Sequence, residues 1–297
     1  VKEEYHTKER FRLSPPPISN ISGRWVTEFQ GKNKVSTMVA EFEQNGSYLT
    51  GTFLDPTGDT RFLQGVVSGD SLKLSTFDGA NAYLFTARID NENKISGGKF
   101  YSGATGVQDW NAQKNNNAKV PDGFSATNIK PNAGKLNFSF RDSKDGHLVS
   151  INDKKFKGKV VVIQILGSWC PNCMDETKFL SAYYNQNHQR GIEMIGLAYE
   201  RTSNFENSQK ALQPFKERLH VQYPVLITGV AVSDSLLTQK TLPQLKKISA
   251  FPTTIFVDKK GNIRKIDEGF SGPATGEHYT QFKKEFDKII NQLLAEK

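Results

Sequence analysis

The only two cysteines of this 297-residue chain lie close together in the stretch GSWCPNCMDE, residues 167–176. Pro171 directly follows Cys170, and proline suits the first turn of a helix, where its missing N–H is not needed. The sequence therefore predicts that Cys170 begins a helix, where free N–H groups and the helix dipole stabilise a thiolate. Cys173 follows one turn later and should point toward the same sulfur.

Three kinds of site can use such a pair. A closed zinc site usually needs four ligands from two such pairs; there is one pair here, the five histidines are scattered, and we predict no metal site. A disulfide across so short a loop adds little stability. A redox pair fits best, with Cys170 attacking a substrate disulfide and Cys173 resolving the mixed disulfide. Such chemistry needs no cofactor.

The elements that must position the pair read as an α/β domain. VVVIQIL, residues 160–166, has the unbroken apolar character of a buried parallel strand. The segment after Cys170 is predicted to be helical, and LPQLKKIS, residues 242–249, is predicted to be another helix. With two further strands, another helix, a hairpin and an amphipathic terminal helix, the order predicts a three-layer sheet with helices on both faces.

The run VVVIQILGSWCPNC resembles the strand–W-C-x-x-C–helix core of the thioredoxin superfamily. Within it, the TlpA/ResA-like group of envelope thiol–disulfide oxidoreductases typically has W-C-x-P-C-x-x-E, and Glu176 stands at the last position. Asn172 replaces the proline of that pattern. SAFPTTIFVD, residues 249–258, resembles the segment that carries the superfamily's cis-proline. The resemblance covers roughly residues 137–297 and implies a thioredoxin-like fold there.

The resemblance also implies roles for individual residues. Spacing alone favours Glu176 as an exposed acid stabilised by the helix dipole, whereas the resemblance implies that it carries the proton of Cys173. It further implies that Pro252 faces the disulfide. Gln164 either hydrogen-bonds under the site or is satisfied within the sheet, and Trp169 either shields the disulfide or packs in the core. The residues expected to bind substrate or shape the site are Trp169, Pro171, Phe251, Pro252, Thr253 and Gln164.

The first part of the chain has a different character. Short β segments separated by glycine turns follow one another over residues 18–113, which predicts an all-β antiparallel sandwich or barrel. Trp25 and Trp110, near its two ends, suggest that the first and last strands meet. We predict an extended tail over residues 1–17, a linker over 114–135 and the thioredoxin-like redox domain over 136–297. The β domain shows no catalytic constellation.

Composition limits the function further. The net charge is +8, but the basic residues come in pairs without an arginine-rich stripe, so we predict no nucleic-acid partner. No run of about 18 apolar residues is present, so we predict no transmembrane segment. The chain starts at Val1 with a polar stretch, and we expect that a leader segment preceded it.

Together these features predict a thiol–disulfide oxidoreductase of the bacterial cell envelope that reduces disulfides in partner proteins. No histidine lies between the cysteines, which argues against a strong oxidant. The expected partners are disulfide-containing envelope proteins and a membrane-embedded dithiol electron donor. The expected location is the periplasm, or an anchor on the membrane facing it. Alternatives are a copper(I) carrier of the same fold and a thiol peroxidase, although Ile163 and Gly167 stand where the peroxidase pattern requires Pro and Thr or Ser.

Overall fold

The computed structural model describes residues 10–31, 34–77, 81–120 and 127–296. The chain divides into two compact units, Val1–Asp122 with Pro273–Thr275 and Gly123–Gly272 with Gly276–Lys297. The predicted tail and linker fall partly outside the described residues. The domain limits given above therefore remain a prediction.

The first unit is a closed antiparallel β-barrel. Consecutive strands pair with one another except that β3 pairs with β5, and β9 pairs back with β1. Eight strands thus form a ring, and the short β4 pairs only with β3 among the described strands. The predicted all-β domain is confirmed, and it is a barrel. The strands are β1 (Gly23–Gln30), β2 (Val35–Asn45), β3 (Tyr48–Asp55), β4 (Gly58–Asp59), β5 (Leu63–Ser68), β6 (Ser71–Phe77), β7 (Ala82–Asn91), β8 (Lys94–Ser102) and β9 (Gly106–Lys114).

Aromatic side chains fill the barrel. The ring of Phe85 stacks on Phe53 with centroids 4.5 Å apart and on Phe100 at 4.3 Å. Trp110 stacks on its register partner Phe29 at 6.0 Å, which joins the last strand to the first. Gly98 permits this packing, because a Cβ there would lie 2.6 Å from the Trp110 indole. An eight-stranded barrel has an interior just wide enough for such side chains.

Residues 10–18 lie along the barrel rather than apart from it. The Ser47 hydroxyl donates to the Leu13 carbonyl at 3.2 Å, and the Gly69 N–H donates to the Pro15 carbonyl at 3.0 Å. The Ile18 N–H in turn donates to the Gly69 carbonyl at 3.1 Å. The described part of the predicted tail is therefore held by hydrogen bonds to its backbone carbonyls.

The second unit contains a seven-stranded sheet in the order β11-β10-β14-β13-β12-β15-β16. Strands β12, β13 and β14 run parallel at its centre, and β15 and β16 are antiparallel to their neighbours. None of the helices in the described residues is long and apolar enough to cross a membrane. The elements are β10 (Ser139–Asp142), β11 (Leu148–Ser150), β12 (Val160–Leu166), α1 (Pro171–Asn187), β13 (Ile192–Ala198), α2 (Phe205–Arg218), β14 (Val225–Ile227), α3 (Leu237–Thr241), β15 (Thr253–Val257), β16 (Ile263–Glu268) and α4 (Glu277–Ala295).

The sheet is the middle of three layers, as predicted. Successive side chains of a strand point to opposite faces, so Val160 and Val162 of β12 pack in the core with α1, α2 and α4. Val161 and Ile163 pack in the opposite core, together with residues from the α3 region. Gln164 has the parity of Val160 and Val162, which places a polar group on the α1 face.

The predicted helix over residues 242–249 is wrong. The helix α3 ends before it, at Thr241, because a residue that precedes a proline is disfavoured in helical geometry and Pro243 follows Leu242. The segment instead pairs with an earlier stretch: the Lys246 N–H donates to Asn128 at 2.7 Å, and Leu245 bridges to Ile129. Leu245 is thereby buried in the core on the α3 side.

Candidate active site

Cys170 and Cys173 form a disulfide at the start of α1. Cys170 is the N-cap residue, its Sγ accepts a hydrogen bond from the Cys173 N–H at 3.2 Å, and Pro171 is the first helical residue. Cys170 retains 3% exposure whereas Cys173 is fully buried. An incoming substrate can therefore reach only the first sulfur directly.

The loop between β12 and α1 is held against the end of β13. The indole N–H of Trp169 donates to the Tyr199 carbonyl at 2.9 Å. Gly167 makes room for that indole, because a Cβ there would lie 2.3 Å from its Nε1. Trp169 also packs on Phe251, with ring centroids 5.5 Å apart. The indole is half-buried, so it both packs and borders the disulfide.

The segment before β15 closes the other side of the disulfide. The Phe251–Pro252 peptide bond is cis, and the Phe251 carbonyl oxygen lies 3.6 Å from Cys170 Sγ. In the disulfide this sulfur carries no hydrogen, so the approach is a contact; a Cys170 thiol would be able to donate. Thr253 is buried and its hydroxyl donates to the Ala250 carbonyl at 2.8 Å, so its side chain shapes the turn.

Glu176 is 1% exposed and belongs to a polar network that reaches the Cys173 carbonyl. Gln164 Nε2 donates to its Oε2 at 2.7 Å, and Thr254 Oγ1 donates to its Oε1 at 2.8 Å. Gln164 Nε2 also lies 3.4 Å from the Cys173 carbonyl, while the Thr177 hydroxyl donates to Gln164 Oε1 at 2.8 Å. The Cys173 carbonyl can only accept, so it favours the orientation in which Nε2 of Gln164 faces the carboxyl group.

The environment of Glu176 makes it a group that exchanges protons near neutrality. Burial raises its pKa from 4.5 to about 7, the charge of Asp267 adds to this, and the hydrogen bonds from Thr254 and Gln164 oppose it. The free-energy cost of removing the Glu176 carboxylate from water therefore exceeds the stabilisation that its two hydrogen-bond donors provide. The structure thus places Glu176 in the buried environment and not in the exposed one that spacing alone favoured.

A second buried carboxyl group, Glu200, is a site residue that the sequence reasoning missed. It is 4% exposed and accepts hydrogen bonds from the Ser168 N–H at 2.8 Å and the Ser168 hydroxyl at 2.7 Å. Burial raises its pKa, against those two bonds and the nearby Arg201. Functional groups gather at the carboxyl ends of parallel strands. The position of Glu200 just after β13 could therefore have identified it as a candidate site residue from the sequence.

We also searched the described residues for a group of side chains that could bind a metal ion. Within residues 10–31, 34–77, 81–120 and 127–296, no cluster of three or more His, Cys, Asp or Glu side chains has the arrangement of a metal site. The features that come together are the disulfide, the helix start, the cis-proline and the buried acid.

The sheet order, the disulfide at the start of α1 and the cis-proline before β15 define a protein of the thioredoxin superfamily, of the TlpA/ResA-like kind. The Redoxin family model matches residues 122–280, more than half of the chain. The chain belongs to the Redoxin family.

The chain is also similar in sequence to individual thiol-disulfide oxidoreductases. The thiol-disulfide oxidoreductase ResA of Geobacillus kaustophilus is 24% identical over 124 residues, covering 42% of this chain and 62% of the relative. ResA of Bacillus subtilis is 24% identical over 133 residues, covering 45% and 64%. The chain thus spans less than two thirds of the length of these curated relatives.

Among solved structures, similarity extends to a thiol:disulfide interchange protein of the thioredoxin family from Chlorobium tepidum TLS. It is 20% identical, with a TM-score of 0.41, and the alignment covers 57% of this chain and 98% of that one. The C-terminal domain of a putative thiol-disulfide oxidoreductase from Bacteroides thetaiotaomicron is 17% identical, with a TM-score of 0.41, 57% of this chain and 99% of that one being covered.

Proposed function

We propose that this protein is a thiol–disulfide oxidoreductase that reduces disulfides in partner proteins. One observation carries the proposal: Cys170 and Cys173 form a disulfide at the start of α1, and Gln164 connects the Cys173 carbonyl to the buried carboxyl group of Glu176. A structural disulfide gains little from so short a loop, whereas a redox pair needs one accessible sulfur and one protected sulfur.

In the first step the Cys170 thiolate attacks one sulfur of the substrate disulfide. A new bond forms between Cys170 and that sulfur, the substrate S–S bond breaks, and its other sulfur leaves as a thiolate. The start of α1 supplies the stabilising field, since Cys170 is the N-cap and its Sγ accepts the Cys173 N–H.

In the second step Cys173 resolves the mixed disulfide. Glu176 takes the proton of the Cys173 thiol, and the resulting thiolate attacks Cys170 Sγ, so the Cys170–Cys173 disulfide forms and the substrate is released with two electrons gained. A carboxyl group with a pKa of about 7 is matched to this transfer. Fresh electrons must come from another dithiol, which is oxidised to a disulfide as the Cys170–Cys173 disulfide is reduced to two thiols.

Trp169 and Phe251 are partly exposed beside Cys170, and Pro252 is buried next to Phe251. These three residues are proposed to receive the substrate segment. Because the cis-proline donates no backbone N–H, the carbonyl of Phe251 beside it is a natural acceptor for an extended peptide. We further propose envelope proteins as substrates, a membrane-embedded dithiol as donor, and the periplasmic side of the membrane as the location. The names of the ResA relatives support the redox activity.

Reduction of insulin by dithiothreitol tests the activity. The wild-type chain should accelerate insulin precipitation, and Cys170→Ser should return the rate to that of dithiothreitol alone. Cys173→Ser is the matched control: it keeps the attacking sulfur, so it should accumulate a mixed disulfide that gel electrophoresis detects without reductant. Equal rates for Cys170→Ser and the wild type would contradict the proposal.

The reduction potential of the pair decides the direction. If the protein is a reductant, the reduction potential of the Cys170–Cys173 couple should be about −270 mV; a strong oxidant would have a potential of about −120 mV. Equilibration against glutathione or dithiothreitol buffers, followed by alkylation and mass measurement, gives this value. A potential near the oxidant end would overturn the reductase direction while leaving the exchange activity in place.

A further inference from the structure

A row of three polar side chains crosses the sheet beneath α1. Gln164 of β12 is the register partner of Thr254 on β15, and Thr254 is the register partner of Asp267 on β16. Partners in register lie on the same face, with Cβ atoms about 5 Å apart. The first two side chains both donate to the carboxyl group of Glu176.

Asp267 differs from the other two in its exposure. It lies on β16, the edge strand, and its side chain keeps 31% exposure, whereas Gln164, Thr254 and Glu176 are at most 2% exposed. Its Oδ2 is 2.8 Å from the Nζ of Lys265, two residues earlier on the same face. Asp267 is therefore a carboxyl group in reach of solvent at the end of a row that leads to a buried one.

We propose that Asp267 is a positioning residue of the redox site: from the edge strand, across Thr254, its charge drives Glu176 toward the form that holds the proton of Cys173. A carboxylate paired in register with Thr254, which itself hydrogen-bonds to Glu176, disfavours a second negative charge there, since like charges repel most where water is excluded. The inference rests on the proposed function, because it concerns the proton that leaves Cys173 in the resolving step.

The other titratable groups around the two carboxyls have defined places. Tyr223, buried near Glu176, has its pKa raised by burial and by the charge of Glu176, so it stays neutral. Asp267 has its pKa raised by burial, while Lys265 opposes this and Glu285 of α4 adds to it. Lys265, 2.8 Å from Asp267, favours its charged form, which is the state in which it acts on Glu176.

The test is a titration of Glu176 in the oxidised protein, followed through its side-chain carboxyl carbon by NMR. Asp267→Asn removes the charge and keeps the shape, and it should lower the pKa of Glu176 by roughly half a pH unit. Asp287→Asn is the matched control, since Asp287 lies on α4 and hydrogen-bonds to Tyr183. It should leave the pKa of Glu176 in place.

Asp267→Ser serves as a second variant, and it should lower the pKa in the same direction. The acid limb of the pH profile for insulin reduction should move with it, which a merely structural role would not produce. An unchanged pKa in a folded Asp267 variant, or an equal fall in Asp287→Asn, would overturn the proposal. The NMR titration needs no turnover, so its result is separate from that of the insulin assay.

Discussion

The burial of Glu176 makes a specific prediction about stability and pH. In the variant Glu176→Gln the amide oxygen can accept from Gln164 Nε2, and the amide nitrogen can donate to the Thr254 hydroxyl, which is free to turn. Those contacts match the ones that a neutral carboxyl group would make. The variant therefore keeps the network and removes only the charge.

The magnitude follows from the pKa of Glu176. It is 4.5 without burial and about 7 in the folded chain, so between these values the folded chain holds more protons than the unfolded chain. The stability conferred by the neutral carboxyl is complete at low pH and is lost as the pH rises through about 7. Because a difference of one in pKa is worth about 1.4 kcal/mol, the wild type should lose about 2.5 kcal/mol relative to Glu176→Gln between about pH 5 and about pH 8.5.

Urea unfolding of the oxidised proteins at several pH values measures this difference, because the disulfide removes any titration of the cysteines. Glu206→Gln, which changes an exposed carboxylate at the start of α2, is the control and should show a difference that hardly varies with pH. If the difference between wild type and Glu176→Gln were the same at pH 5 as at about pH 8.5, the buried, readily protonated state of Glu176 would be refuted.

Three further predictions concern the loop before Cys170 and the barrel. Glu200→Ala should cost about 1–3 kcal/mol in urea unfolding, because the N–H and the hydroxyl of Ser168 both lose their acceptor inside the protein. Glu200→Gln should cost less, since its amide oxygen can accept from the N–H and its amide nitrogen can donate to the hydroxyl, and a Glu200→Ala variant as stable as the wild type would contradict the anchor. Gly167→Ala should displace the Trp169 indole, since the new Cβ would lie 2.3 Å from its Nε1. We expect slower insulin reduction and a changed tryptophan fluorescence emission. If both measurements stayed the same, the close packing of Gly167 against the indole would be contradicted. Phe53→Ala should destabilise the barrel by about 3–5 kcal/mol in thermal or urea unfolding, and a loss below about 1 kcal/mol would mean that the barrel interior can collapse around the gap.

The strands could largely be predicted from the sequence where their pattern was strong. The unbroken apolar run VVVIQIL corresponds to β12, and the short β segments predicted over residues 18–113 correspond to the strands of the barrel. A last strand near Trp110 was predicted, but its limits were not, because GVQDWNAQK has only Trp110 and Ala112 as buried residues. The place of β9 is set by its pairing with β1, which is distant from it in sequence, and with β8, where the register shifts.

The candidate site divides in the same way. The cysteine pair and the cis-proline were visible as local motifs. The surroundings of Glu176 were not, because Gln164 and Thr254 lie 12 and 78 residues away from it along the chain. They meet it only because β15 inserts beside β12 in the sheet, and nothing in the local sequence specifies that neighbour.

The strand that carries Asp267 also bears on self-association. An edge strand offers unpaired N–H and C=O groups to other chains, and charged side chains discourage such pairing. The described strands of the barrel form a closed ring, but β16 is an outer edge of its sheet. Its sequence, IRKIDE, mixes Arg264, Lys265, Asp267 and Glu268, so a second copy laid against it would have to accommodate charges of both signs. Replacing these charged residues to change the redox site would therefore also make edge-to-edge pairing, and hence aggregation, more favourable.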